Sequence, residues 1–220
     1  MRRSLLLIPA LATVVSASGC ASLNKKETGA IIGAASGAAV GGMVGRANGS
    51  TAKGAIIGAA VGGTAGAVIG HQMDQQAKEI KQDIPGAVVE RVGEGLQVTF
   101  ASGLLFDVDS DVLRETARKN LATLASSLQK YPNTDLMIVG HTDATGSDAH
   151  NMTLSERRAA SAATFLAAQG VTRTRLRSAG RGESEPVATN DTDADQQKNR
   201  RVEVAIYANE AFKAQALKNQ

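Results

Sequence analysis

Positions 154, 158, 162 and 165 fall on one face of a helix expected from about residue 151 to 169, and three of them are Leu154, Ala162 and Phe165. The fourth is Arg158. Arg157 falls instead with Thr153, Ala160 and Thr164 on the outer side, where a charge is simply solvated. An arginine directed inward needs a carboxylate partner or a solvent-filled pocket. The turn that feeds this helix, Gly140-His-Thr-Asp-Ala-Thr-Gly146, supplies Asp143 as the candidate acid. Such a pair has two uses. It is a structural ion pair, or it receives a ligand that carries both an ammonium and a carboxylate, each met by charge-assisted hydrogen bonds. These residues alone leave both uses open.

Other chemistries find little support. His141 and Asp143 lack the HExxH spacing or a third ligand, and the three histidines (71, 141, 150) with the single Cys20 form no metal-ligand pattern. There is no Gly-x-Ser-x-Gly elbow. Gly180-x-Gly182 is followed by Glu185 where a dinucleotide loop needs glycine. The formal charge is +3, which falls to about +1 without Arg2 and Arg3; with no basic run, nucleic acid is not an expected partner. No cofactor and no metal are expected, and catalysis on the cell wall is the weaker alternative.

The elements that must position the pair follow from periodicity. Ala87–Val92 and Leu96–Phe100 alternate across Gly93-Glu-Gly95, which predicts a hairpin. Leu113, Ala117, Leu121, Leu124, Ala125 and Leu128 fall at helical spacing, with Pro132 beyond the end. Leu136–Val139 is wholly apolar and predicts a buried strand, and Arg175–Ala179 and Val202–Tyr207 supply two more. With aromatics at 3% and no Trp, the core must be small and aliphatic. The order predicts an α/β (α+β) sandwich, a mixed sheet with helices on one face.

The N-terminal third has a different composition. Met1-Arg2-Arg3 and the short apolar run Ser4–Ala17 read as a secretory signal, since a membrane span needs roughly 20 residues. Ala17-Ser-Gly-Cys20 resembles a bacterial lipobox, which implies lipidation at Cys20; Ala21 rather than Asp implies sorting to the outer membrane. Of 23 glycines, 13 lie between Gly29 and Gly70. Gly29, Gly33, Gly37, Gly41 and Gly45 recur every fourth residue, and so do Gly54, Gly58, Gly62, Gly66 and Gly70. Each glycine costs a helix about 1 kcal/mol relative to Ala. A stripe kept twice therefore predicts close helix packing, as a hairpin that packs on itself or oligomerises at the membrane, rather than a flexible linker.

The spaced residues of the C-terminal half closely resemble the OmpA-like peptidoglycan-binding family. The resemblance rests on Leu105-Phe-Asp107, Gly140-His-Thr-Asp143, Asn151 with Leu154-Ser155 and Arg158, Gly180-Arg-Gly182, Pro186 and Asn199-Arg-Arg-Val-Glu203. It implies binding of the diaminopimelate residue of the stem peptide, with Asp143 taking the ligand ammonium, Arg158 its carboxylate and Arg200 a secondary contact. Thr142, Asn151, Phe106 and Asp107 would shape the pocket. Asn151 as a helix N-cap, Phe106 as core, and Gly146 and Gly182 as turn glycines are the competing local roles. The expected organisation is a signal peptide (1–19), a lipidated tether (20–28), a glycine-zipper hairpin (29–70), a polar linker or helix (71–86), the peptidoglycan-binding domain (87–208) and a tail (209–220). The implied protein is a non-catalytic outer-membrane lipoprotein, its C-terminal domain in the periplasm, anchored to peptidoglycan and to the membrane. An ion-motive stator is the other alternative, and residues 29–70 lack the acidic residue that would carry protons.

Overall fold

The computed structural model describes residues 49–218. Cys20, the signal segment and the first glycine repeat lie outside them. The hairpin forms as its alternation predicts, β1 (Ala87–Val92) pairing antiparallel with β2 (Gly95–Ala101). A short turn, α3 (Ser102–Leu105), and α4 (Glu115–Lys130) lead to β3 (Thr134–Gly140). Then α5 (Asp148–Ala168) precedes β4 (Leu176–Gly180), α6 (Asp193–Asn199) and β5 (Arg201–Ala208). The five strands lie in the order β1-β2-β5-β3-β4, antiparallel except for β3 and β4. One sheet face carries Leu96, Val98, Phe100, Leu136, Ile138, Val202, Val204 and Ile206 into a core shared with α4 and α5. This is the expected mixed α/β sandwich.

The second glycine repeat departs from expectation. It is not one helix of a hairpin but two helices, α1 (Thr51–Ala59) and α2 (Gly63–Asp83). The helix stops because the tip of the β1–β2 hairpin intervenes. The Glu94 carboxylate accepts the N–H of Val61 (2.8 Å) and of Gly62 (2.6 Å), donors that a continuous helix would spend on the preceding turn. Gly62 and Gly63 then turn at φ 72° and 64°, a left-handed conformation that glycine adopts without steric cost. A Cβ on Gly66 would fall 2.1 Å from Glu94 Oε1. Here the stripe makes room for a loop, not for another helix.

Both helices belong to the globular unit. Ala52, Ala55, Ile56 and Ala59 of α1 are buried with Val139, Ala205 and Tyr207 on the second sheet face, so one helix is added opposite the layer that was expected. Ile56 sits against Gly95, where a Cβ would be 2.5 Å from its Cγ2. Of the two readings of the polar run 71–86, a linker or a helix, the helix forms as far as Asp83: α2 runs into it and buries Met73, Gln76, Ala77 and Ile80. The tail forms α7 (Glu210–Lys218), whose Phe212 and Ala216 join the same core. The folded unit therefore begins by residue 49 rather than 87. Among the described residues no helix is long and apolar enough to cross a membrane.

Candidate functional site

The parallel pair β3–β4 ends in register at Gly140 and Gly180, and α5 crosses those ends. Its buried face is Asn151, Leu154, Ser155, Arg158, Ala159, Ala162 and Leu166, so the phase inferred for Arg158 is correct while the stripe ends on Leu166 rather than the half-buried Phe165. Arg157 is exposed, as its phase requires.

Arg158 is 5% exposed and, among the described residues, meets no carboxylate within salt-bridge distance. Its Nε donates to the carbonyl of Ser110 (2.9 Å) and its Nη2 to that of Asp107 (3.2 Å), with the guanidinium 5.3 Å from the Phe106 ring centre. Burial pulls its pKa below the ordinary value, and Asp109 and Asp111 only partly oppose this. A guanidinium has five N–H donors, and two are used here. A half-buried arginine, Arg175, shows what a structural one looks like. It ends a 3₁₀ turn (Arg173–Arg175) rather than opening the expected strand, and donates to the carbonyls of Leu128, Tyr131 and Thr134 and to Thr134 Oγ1. It thereby closes the end of α4.

Asp143 is 6% exposed and pairs not with Arg158 but with Arg200, the half-exposed residue just ahead of β5. Its Oδ1 accepts the N–H of Thr145 (2.8 Å), an Asx turn that fixes the carboxylate. Burial alone would raise its pKa, but the Thr145 hydrogen bond and Arg200 outweigh it and hold the carboxyl below 3.8. The sign follows: the ionised form stabilises the fold at and above ordinary carboxylate pH, and that contribution is lost as pH falls from 3.8 through the lower folded value. In urea melts at stepped pH, the stability advantage of the wild type over Asp143→Asn should persist down to about pH 4 and close below it.

Of the remaining expected residues, Thr142 and Asn151 line the same cavity as Asp143 and Arg158, while Phe106 and Asp107 touch Arg158 without lining it. Asn151 is not the N-cap of α5, a role taken by Ser147. Its Nδ2 instead donates to the carbonyls of Asp143 (3.2 Å) and Thr145 (3.1 Å) and to Glu183 Oε2 (2.7 Å). Thr142 is buried with its Oγ1 unpartnered. Phe106 is both core and a floor for Arg158, while Asp107 contributes its carbonyl, its carboxylate lying 3.6 Å from Arg114. Gly146 and Gly182 turn at positive φ, as expected. His141 lies on the reverse side, 3.8 Å from Glu203, and burial followed by Arg201 and Arg181 pushes its pKa well down, so it is neutral and apart from Asp143's site.

Thr142, Asp143, Asn151, Arg158 and Arg200 line one open cavity of about 510 Å³. Thr145, His150, Leu154, Gln196 and the turn Val108-Asp109 complete it, and these were not anticipated. The turn has one legible signal in hindsight: it follows Phe106-Asp107 directly, and its Asp109, at φ 52°, is of the type that tolerates that conformation. The arrangement presents one buried cation with spare donors, one buried anion and an unpartnered hydroxyl to the same space.

The OmpA family model matches residues 105–200, and a YMGG-like Gly-zipper model matches residues 1–74. The probable lipoprotein YiaD of Escherichia coli K12 is 34% identical over 138 residues, 62% of this chain and 63% of the relative, so the match spans less than two thirds of YiaD's length. The peptidoglycan-associated lipoprotein of Brucella melitensis is 36% identical over 116 residues, 53% of this chain and 69% of its own. Among solved structures, the cell wall anchor of the T6SS from Pseudomonas aeruginosa superposes with a TM-score of 0.55 at 29% identity, over 62% of this chain and 96% of that one.

Proposed function

Since the chain belongs to the OmpA family, we propose that it is an envelope lipoprotein that ties the outer membrane to peptidoglycan by binding diaminopimelate. The observation that carries this reading is the separation of Asp143 from Arg158. Both are buried, both line one cavity, and neither neutralises the other. A buried ion with incomplete partnering costs several kcal/mol, so the unpaired guanidinium is best accounted for by a carboxylate ligand. Diaminopimelate keeps a free amino acid head at its side-chain end. Its carboxylate would take the spare N–H groups of Arg158 as a fork, and its ammonium would meet Asp143, with Arg200 and Thr142 Oγ1 as further contacts. The neighbouring hydroxyl is spent on structure: Ser155 Oγ donates to the Met152 carbonyl and accepts from Gly182 N–H.

The envelope location follows the relatives. The names of YiaD and the Brucella protein describe lipoproteins. Lipidation at Cys20 would place the chain's N-terminus at the outer membrane and its folded unit in the periplasm. The first glycine repeat then lies between anchor and domain.

The test is the ligand itself. A muropeptide with a free diaminopimelate head should bind on the order of 100-fold more tightly than the same peptide with that carboxyl amidated, as loss of one partner of a buried charge pair implies. Equal affinities by calorimetry would dismiss the assignment of Arg158.

A further inference from the structure

The loop Gly180–Glu185 has two sides, and each does something different. Toward the cavity, the Gly182 carbonyl accepts the Thr142 N–H (2.9 Å), Gly182 N–H donates to Ser155 Oγ (2.9 Å), and Glu183 holds the Asn151 amide (2.7 Å). Two residues of the proposed binding site, Thr142 and Asn151, and Ser155 on the helix that carries Arg158 are thereby positioned by one loop. On the reverse side the same loop grips the first turn of α1. Thr51 N–H donates to Glu185 Oε2 (3.0 Å), Thr51 Oγ1 donates to Glu185 Oε1 (2.5 Å), and Arg181 Nε donates to Thr51 Oγ1 (2.7 Å). Thr51 is 1% exposed and Glu185 3%. Below them Arg201 donates to the Glu185 carbonyl (2.9 Å) and pairs with Glu203 (2.7 Å), which also accepts from Ser50 Oγ (3.3 Å).

The rest of α1 is weakly held by comparison. It has nine residues, its large apolar anchor is Ile56 alone, and Ile57 points outward at 55% exposure. A helix so short does not persist in water without tertiary contacts. The hydroxyl clasp is therefore a large part of what keeps α1 on the sheet, and undocking would strip the Glu185 carboxylate of two of its donors.

We propose that Thr51 is a positioning residue for the wall-binding site: α1 docks through it onto the Gly180–Glu185 loop, and docking and ligand binding reinforce each other. The proposal rests on the reading that the cavity binds diaminopimelate peptide. It gives the second glycine repeat a role in the folded unit, reporting the state of the membrane-proximal segment to the site through a single loop. By linkage, whatever factor docking contributes to ligand affinity, ligand must return to docking.

The experiment uses the full chain and a muropeptide with a free diaminopimelate head. Thr51→Val removes the hydroxyl at nearly constant shape, and Thr51→Ser keeps it. Thr51→Val should bind the muropeptide about fivefold more weakly, at the lower end of ordinary coupling, with Thr51→Ser close to wild type. In hydrogen exchange, saturating muropeptide should slow the amides of residues 51–59 in the wild type and leave them unchanged in Thr51→Val. This second readout separates coupling from general instability, because a variant that is merely less stable would still gain protection on binding. If the wild type binds but its α1 amides ignore the ligand, or if Thr51→Val binds with wild-type affinity, the coupling is overturned and the diaminopimelate reading stands. If the wild type does not bind the muropeptide at all, both fall.

Discussion

Arg158→Ala should abolish retention on purified sacculi, lowering muropeptide affinity by about 100-fold or more, while Arg157→Ala changes it less than twofold. The magnitude follows from what is removed. A fork of charge-assisted donors directed at a ligand carboxylate contributes roughly 2–5 kcal/mol, and its loss leaves that carboxylate desolvated without a partner. The adjacent arginine is the control because the chain turns it to solvent, 3.9 Å from Asp111 and away from the cavity. One complication is physical: Arg158 also ties down the Asp107–Ser110 turn through two carbonyls. Arg158→Lys separates the two contributions. A lysine preserves the charge and a donor for the turn but cannot serve carbonyls and carboxylate together as a planar fork does. Thermal melts of the lysine variant should stay near wild type while binding falls at least about tenfold. Full binding by Arg158→Lys would mean that a bare positive charge suffices and that the fork geometry plays no part.

Arg158 was legible because helical phase is a local property: four positions fixed its direction before any contact was known. The β1–β2 hairpin and the apolar strand β3 were legible for the same reason. What escaped the sequence depends on contacts between distant segments. Arg200 and Asp143 stand 57 residues apart, and nothing near either one announces the pair. The glycine stripe is the sharper case. A four-residue glycine period says only that something approaches closely; it does not say whether that is lipid, a second helix or a loop. Glu94, about 30 residues further on, supplies the answer for Gly62 and Gly66. The polar run 71–86, read as a linker or helix, is a half-legible case. Its sparse apolar residues Met73, Ala77, Ile80 and Ile84 recur at helical spacing, but only the strands and helices they meet make that face part of the core. Arg175 shows the reverse limit, since a residue that reads as a strand's first position proved to be the keystone of a helix end.

Gly140→Ala should cost at least about 3 kcal/mol and lower the melting temperature by roughly 10 °C, with loss of muropeptide binding. The residue is not in a left-handed conformation, so a turn requirement does not explain it. The reason is steric. A Cβ at position 140 would lie 2.2 Å from the carbonyl oxygen of Ser155 and 3.0 Å from its carbonyl carbon. Both are backbone atoms of α5, and neither can rotate aside. The parallel partner Gly180 faces the same helix, with its own Cβ position 2.5 Å from the Glu156 nitrogen. Two glycines in register let α5 rest directly on the sheet, and that closeness is what brings Asn151 and Arg158 over the strand ends. To accept a methyl group the helix must lift by about 1 Å, since carbon and oxygen normally meet no nearer than roughly 3.5 Å. That movement would stretch the Gly182–Ser155 hydrogen bond and carry Arg158 off the turn that orients it. Gly103→Ala is the matched control: it lies in the α3 turn with nothing within 4 Å of the added carbon, and should change stability by less than about 1 kcal/mol. Urea melts of the two variants settle the point. If Gly140→Ala unfolds alongside Gly103→Ala, α5 does not sit as close to the sheet as the site geometry demands.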